Sequence, residues 1–151
     1  MKAVIALGAN LDDPRSALEL AIALLREATD VISVSSFHIT KPVGGPAQPD
    51  YLNAVALIDS ELPALDLLHL LQGIEKSMGR VRTEKWGPRI IDLDLISYGS
   101  ILSEAEELTL PHPRAHERRF VLEPWLEIDS EAHLLTHGPV REILHQLPPA
   151  K

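Results

Sequence analysis

The distribution of apolar and polar residues divides the chain into alternating strand-like and helix-like segments. Residues 2–8 are apolar after the opening lysine and end at a glycine, the pattern of a buried strand. Asp13 and Pro14 are a natural N-cap and first helical residue, so a helix is predicted to start there. Leu18, Ile22 and Leu25, with Ala17, Ala21 and Ala28 beside them, fall at helical spacing on one face. Residues 31–39 and 51–59 read as strands. The segment between them, 41–50, is rich in Pro and Gly, lacks periodicity and reads as a long loop. Pro63 opens a second helix carrying Leu67, Leu68, Leu71, Ile74 and Met78, and Gly79 stops it. A basic loop follows, then a strand over 90–98, a short helical stretch over 114–122, and a last helix from about 139 to 147. No repeat or linker interrupts the pattern. It predicts one α+β domain over 1–151, with helices packed on a mainly antiparallel sheet. Strand order is not determined at this level.

Composition narrows the function classes. At 45% hydrophobic and 24% charged, the chain can bury a proper core and is not disordered as a whole. A net charge of −8 argues against nucleic acid as the main partner, though it leaves room for a local basic pocket. There is no cysteine, so neither disulfides nor thiolate zinc sites can form. The first apolar run is too short for a signal h-region, and no stretch reaches the roughly 20 apolar residues of a membrane helix. The expectation is a cytoplasmic protein without a membrane partner.

The sharpest chemical feature is Ile-Ile-Asp-Leu-Asp-Leu-Ile at 90–96. On a strand, Asp92 and Asp94 share one face while Ile91, Leu93 and Leu95 point the other way into the core. Paired carboxylates on a rigid element suit Mg²⁺, which takes one or two of them and completes its shell with water and phosphate oxygens. The pair alone is equally compatible with the solvated face of an ordinary sheet. Four cations just upstream, Arg80, Arg82, Lys85 and Arg89, shift the balance toward phosphoryl chemistry. Trp86, in the same loop, is compatible with stacking on a flat ring or with a half-buried anchor.

Arg114, Arg118, Arg119, His112 and Phe120 form a second cluster. His112 and His116 are four apart, but Pro113 between them argues against a zinc helix. Tyr51 and Asn53 share a strand face, a pairing that fits either a bound heterocycle or an ordinary polar face. No phosphate loop, dinucleotide fingerprint or nucleophile elbow is present.

Taken together, these motifs resemble the hydroxymethyl-dihydropterin pyrophosphokinase family. The resemblance rests on Trp-Gly-Pro-Arg-Ile-Ile-Asp-Leu-Asp-Leu-Ile at 86–96, Ala-Leu-Gly-Ala-Asn at 6–10 and Gln-Pro-Asp-Tyr-Leu-Asn-Ala at 48–54. It continues in Gly-Arg-Val-Arg at 79–82, Leu-Pro-His-Pro-Arg at 110–114 and Arg-Arg-Phe-Val-Leu at 118–122, covering most of the chain in order. It implies a ferredoxin-like sandwich and ATP-dependent transfer of pyrophosphate to 6-hydroxymethyl-7,8-dihydropterin in folate biosynthesis, with AMP released.

By the same resemblance, Asp92 and Asp94 hold two Mg²⁺ ions. Thr40, Pro42, Val43, Tyr51, Asn53, Trp86 and Phe120 surround the pterin. Gln72, Glu75, Arg82, Trp86, Arg89, Thr109, His112 and Arg118 surround ATP, and Arg80, Arg82 and Arg89 join the aspartates in catalysis. A monomer acting on these two small molecules is expected. Glu107 stands where some relatives carry an arginine, and Arg119 where some carry a small residue. Two rival readings use the same residues: a non-catalytic ligand-binding domain, and a phosphohydrolase or nucleotidyltransferase working without pterin.

Overall fold

The apolar opening run forms β1 (Lys2–Ala9), which is buried from Ala3 onward. A computed structural model describes residues 1–41, 48–79 and 90–148. Helix α1 (Pro14–Ala28) starts where the cap residues place it: the Asp13 carboxylate accepts the Ser16 backbone N–H at 3.3 Å and the Ser16 hydroxyl at 2.7 Å. Leu18, Ala21 and Leu25 are its fully buried side chains, on the predicted face.

The single strand expected over 31–39 is two strands, β2 (Asp30–Val34) and β3 (His38–Thr40). Ser35, Ser36 and Phe37 break the run. The Ser35 hydroxyl donates to the Ser36 carbonyl and accepts the Val55 N–H, and Ser36 is tied to a distant helix. Side-chain bonding to the local backbone competes here with the ladder. Strand β4 (Tyr51–Asp59) and helix α2 (Ala64–Ser77) follow, and α2 ends before Gly79, whose φ of 80° suits a residue without Cβ.

Strand β5 (Asp92–Tyr98) comes next, then a 3₁₀ turn (Ala115–Glu117), α3 (Arg119–Ile128) and α4 (Val140–Gln146). The helical stretch expected over 114–122 is therefore split, and it continues through Pro124 to Ile128. Pro124 removes only one intrahelical donor, and burial of Val121, Leu122 and Trp125 offsets that loss.

The sheet order is β2-β4-β1-β5, with β3 joining the part of β4 that β2 leaves uncovered, and every pairing is antiparallel. Each β–α–β passage skips one strand, so β1 and β5 lie side by side, the ferredoxin-like arrangement. One face, with Ile5, Leu7, Ala54, Ala56, Leu93 and Leu95, packs on α1 and α2. The other, with Val4, Ala6, Val55, Leu57 and Ile96, is covered by α3 and α4 at one end only. Its uncovered end is where Tyr51 and Asn53 of β4 and Asp92 and Asp94 of β5 lie, beside Gly8 of β1. Among the described residues, no helix is long and apolar enough to cross a membrane.

Candidate active site

Register brings three separate motifs into one place. Gly8 of β1 pairs with Asn53 of β4 on one side and with Asp92 of β5 on the other. Ala6 likewise lies between Val55 and Asp94. The small residues of β1 thus leave open floor between a carboxylate strand and an amide-bearing strand. Adding a Cβ to Gly8 would place it 2.9 Å from Asn53 Oδ1, so this position tolerates glycine alone without a shift.

Above this floor lies a cavity of about 280 Å³, lined by Gly8, Thr40, Gln48, Tyr51, Asn53, Asp92, Asp94, Arg118 and Phe120 among others. That is roughly twice the ~150 Å³ known to admit a benzene ring, so a two-ring heterocycle fits. Asn53 is almost fully buried, and its amide nitrogen donates to the Thr40 hydroxyl across the β3–β4 pair. This leaves the Asn53 carbonyl oxygen over Gly8, at the cavity floor. Asn10, just past β1, donates to Gln48 Oε1 at 2.7 Å and to the Pro49 carbonyl at 3.0 Å, tying the loop rim to the floor.

At the other end stand the two acids. Asp92 and Asp94 are half-buried on the cavity face of β5, while Ile91, Leu93 and Leu95 are buried behind them, as alternation requires. Arg118 Nη1 lies 4.0 Å from Asp94 Oδ2, too far for a tight ion pair, and its guanidinium carbon lies 5.5 Å from the Phe120 ring centre. A cation so placed faces both the acid pair and an aromatic wall.

The backbone N–H of His112 donates to the Ile96 carbonyl of β5 at 2.8 Å. Burial pushes its imidazole pKa down to about 4, the nearby Arg118 and Arg114 charges push the same way, and Asp92 opposes them. His112 is therefore neutral at physiological pH, with Nδ1 accepting the Arg114 N–H at 3.2 Å.

Among the residues expected from sequence, Thr40, Tyr51, Asn53, Asp92, Asp94, Arg118 and Phe120 converge on this cavity. Gln72 is exposed on α2, and the Thr109 hydroxyl donates to the Ala105 carbonyl at 3.2 Å. Glu75 is buried, and its carboxylate accepts the Leu93 N–H at 2.8 Å. Glu107 pairs with His69 of α2 at 2.8 Å. Pro42, Val43, Arg80, Arg82, Lys85, Trp86 and Arg89 lie outside the described residues.

In the sequence Gly8, Asn10 and Gln48 stand only as parts of motifs; the role of Gly8 depends on cross-strand register, and that of Asn10 and Gln48 on a contact 38 residues apart. A glycine inside a strand pattern was the available signal for Gly8.

Known proteins resemble this chain in both sequence and fold. A family model for 7,8-dihydro-6-hydroxymethylpterin-pyrophosphokinase matches residues 4–130. A 2-amino-4-hydroxy-6-hydroxymethyldihydropteridine pyrophosphokinase of Haemophilus influenzae is 43% identical over 146 residues, covering 95% of this chain and 91% of that protein. The enzyme of the same name from Bacillus subtilis is 44% identical over 128 residues, covering 83% and 77%. The crystal structure of a Plasmodium falciparum HPPK-DHPS superposes with a TM-score of 0.76 at 13% identity, a likeness of fold. The superposition covers 96% of this chain but only 43% of the Plasmodium chain.

Proposed function

Because the chain belongs to the 7,8-dihydro-6-hydroxymethylpterin-pyrophosphokinase family, we propose that its cavity seats the two substrates at opposite ends. The reaction is transfer of pyrophosphate from ATP to the hydroxymethyl group of 6-hydroxymethyl-7,8-dihydropterin, a step of folate biosynthesis that releases AMP. In this reading the pterin lies between Tyr51 and Phe120, with Asn53 and Thr40 at its polar edge. The triphosphate lies toward Asp92, Asp94 and Arg118. The observation that carries the reading is the row Asn53–Gly8–Asp92, which sets an amide of β4 and a carboxylate of β5 on either side of a glycine floor in β1.

The donor set fits Mg²⁺. Two carboxylates share one face, both half-buried, and no group of three or more acidic, histidine or cysteine side chains gathers among the described residues. That suits a hard cation whose remaining ligands are water and phosphate oxygens, not an all-protein cage. We assign Asp92 and Asp94 to two such ions, which when bound would neutralise charge on the bridging phosphate oxygens.

The chain's own contribution is positioning and electrostatics. Tyr51, Asn53 and Phe120 hold the acceptor hydroxymethyl group toward β5. Arg118 supplies a fixed positive charge where negative charge grows as the AMP oxygen departs. His112, neutral and held by the end of β5, is placed beside the nucleotide without adding charge. Arg80, Arg82 and Arg89 would add cations to the triphosphate, and Trp86, Pro42 and Val43 would complete the pterin walls. We also propose a cytoplasmic monomer; sedimentation at micromolar concentration tests the first part, and cell fractionation the second.

Phosphorus NMR of a reaction mixture tests the proposal. Both the β- and γ-phosphorus resonances should move together onto a pterin ester in Mg²⁺ and stay on ATP in EDTA. Free phosphate or pyrophosphate appearing without pterin would favour the hydrolase reading.

A further inference from the structure

Glu75 breaks the pattern of the helix that carries it. On α2 the core is filled by Leu67, Leu71 and Ile74, and Glu75 is buried beside them at 7% exposure. A carboxylate there meets two local costs. One is desolvation among apolar side chains, and the other is the negative end of the helix dipole, within the last turn. Local rules of this kind are broken most often where function requires it.

One bond of Glu75 reaches the strand that carries the two acids. Glu75 Oε2 accepts the backbone N–H of Leu93 at 2.8 Å. Leu93 stands between Asp92 and Asp94, and β5 is an outer strand with β1 as its neighbour. This N–H is given to a buried carboxylate, not to another strand. The bond fixes the Asp92–Leu93 peptide plane and so the relative direction of the two flanking carboxylates.

We propose that Glu75 is a positioning residue for the acid pair, holding β5 from the core side so that Asp92 and Asp94 keep the spacing that divalent cations on a triphosphate require. The inference rests on the reading of Asp92 and Asp94 as the metal pair. It assigns Glu75 to the strand behind the metal site, where the family resemblance alone would put it beside the nucleotide.

Two measurements on Glu75→Ala and Glu75→Gln test it. The first is amide hydrogen exchange of Leu93 in ligand-free, metal-free protein. The second is the Mg²⁺ concentration for half-maximal turnover, with ATP binding measured in EDTA alongside. In Glu75→Ala, Leu93 should exchange about tenfold faster, the loss expected for one net hydrogen bond. The Mg²⁺ requirement should rise about 10–100-fold, as when a ligand-orienting partner is removed. Metal-free ATP binding should not change.

Glu75→Gln keeps a carbonyl oxygen at the same place, so it should retain Leu93 protection and most of the Mg²⁺ response. This variant decides the matter if the alanine protein does not fold. A raised Mg²⁺ requirement in Glu75→Gln with Leu93 still protected would overturn the proposal. So would unchanged Leu93 exchange in Glu75→Ala, or weakened metal-free ATP binding in both variants. Failure of the metal reading itself would show separately, as an Asp94→Asn protein that keeps normal turnover whatever Leu93 does.

Discussion

Replacing Gly8 by alanine would set a methyl carbon 2.9 Å from Asn53 Oδ1, inside normal contact. Asn53 is buried and bonded to Thr40, so it has little room to turn away. Gly8→Ala should therefore cost about 1–3 kcal/mol of stability, the usual range for overpacking. Its KM for the pterin should rise several-fold more than its KM for ATP; equal effects on both substrates would argue against the floor assignment. Asp94→Asn removes a charge from a half-buried, solvent-reachable position. Turnover should fall by orders of magnitude while circular dichroism and melting stay near normal, because the substitution keeps the side chain's size at a half-buried position. Asp92 and Asp94 were legible in the sequence because alternation on one strand is a local property. Gly8 was not, because it acts across strands whose register the local pattern does not contain, nor were Asn10 and Gln48, whose contact spans 38 residues.

Helix α3 carries Phe120 near its start, and its other end is anchored 91 residues back in the chain. Glu127 accepts the Ser36 N–H at 2.7 Å, the Ser36 hydroxyl at 2.8 Å and His38 Nε2 at 2.8 Å. The Ser36 backbone bond, joined by His38 and the Ser36 hydroxyl, holds the Glu127 carboxyl below the ordinary glutamate value of 4.5. A folded pKa below the unfolded one means that the unfolded chain binds the proton more readily. The clamp therefore stabilises fully above about pH 4.5, and its contribution is lost as pH falls through the lowered folded value.

The group is partly exposed, so the contribution is about 1 kcal/mol or less after solvent screening. Urea melts from pH 6 to 3 should show a shallower acid loss in Glu127→Gln than in the parent; identical slopes would remove Glu127 from the account. The break between β2 and β3 made here escaped the sequence reading, since Ser35 and Ser36 are compatible with a strand until their partners are known. The reach of α3 past Pro124 escaped it too, because the buried Trp125 that offsets the proline is a tertiary effect.

At the scale of the whole molecule, the site exists because β1 separates β4 from β5. Alternating elements implied helices on an antiparallel sheet, but many strand orders satisfy that pattern. The ferredoxin-like order came from the family resemblance, and the pairings bear it out. Only with that order do the Asn53 and Asp92 rows meet over Gly8, and only one end of that sheet face is left open by α3 and α4.

We propose that this opening joins a pterin to a metal-held triphosphate. AMP formation from ATP, with and without 6-hydroxymethyl-7,8-dihydropterin, in Mg²⁺ and in EDTA, tests it most directly. The expected result is AMP only when pterin and Mg²⁺ are both present, in equal amount to the pterin ester formed. AMP released without pterin, or formed at the same rate in EDTA, would contradict it.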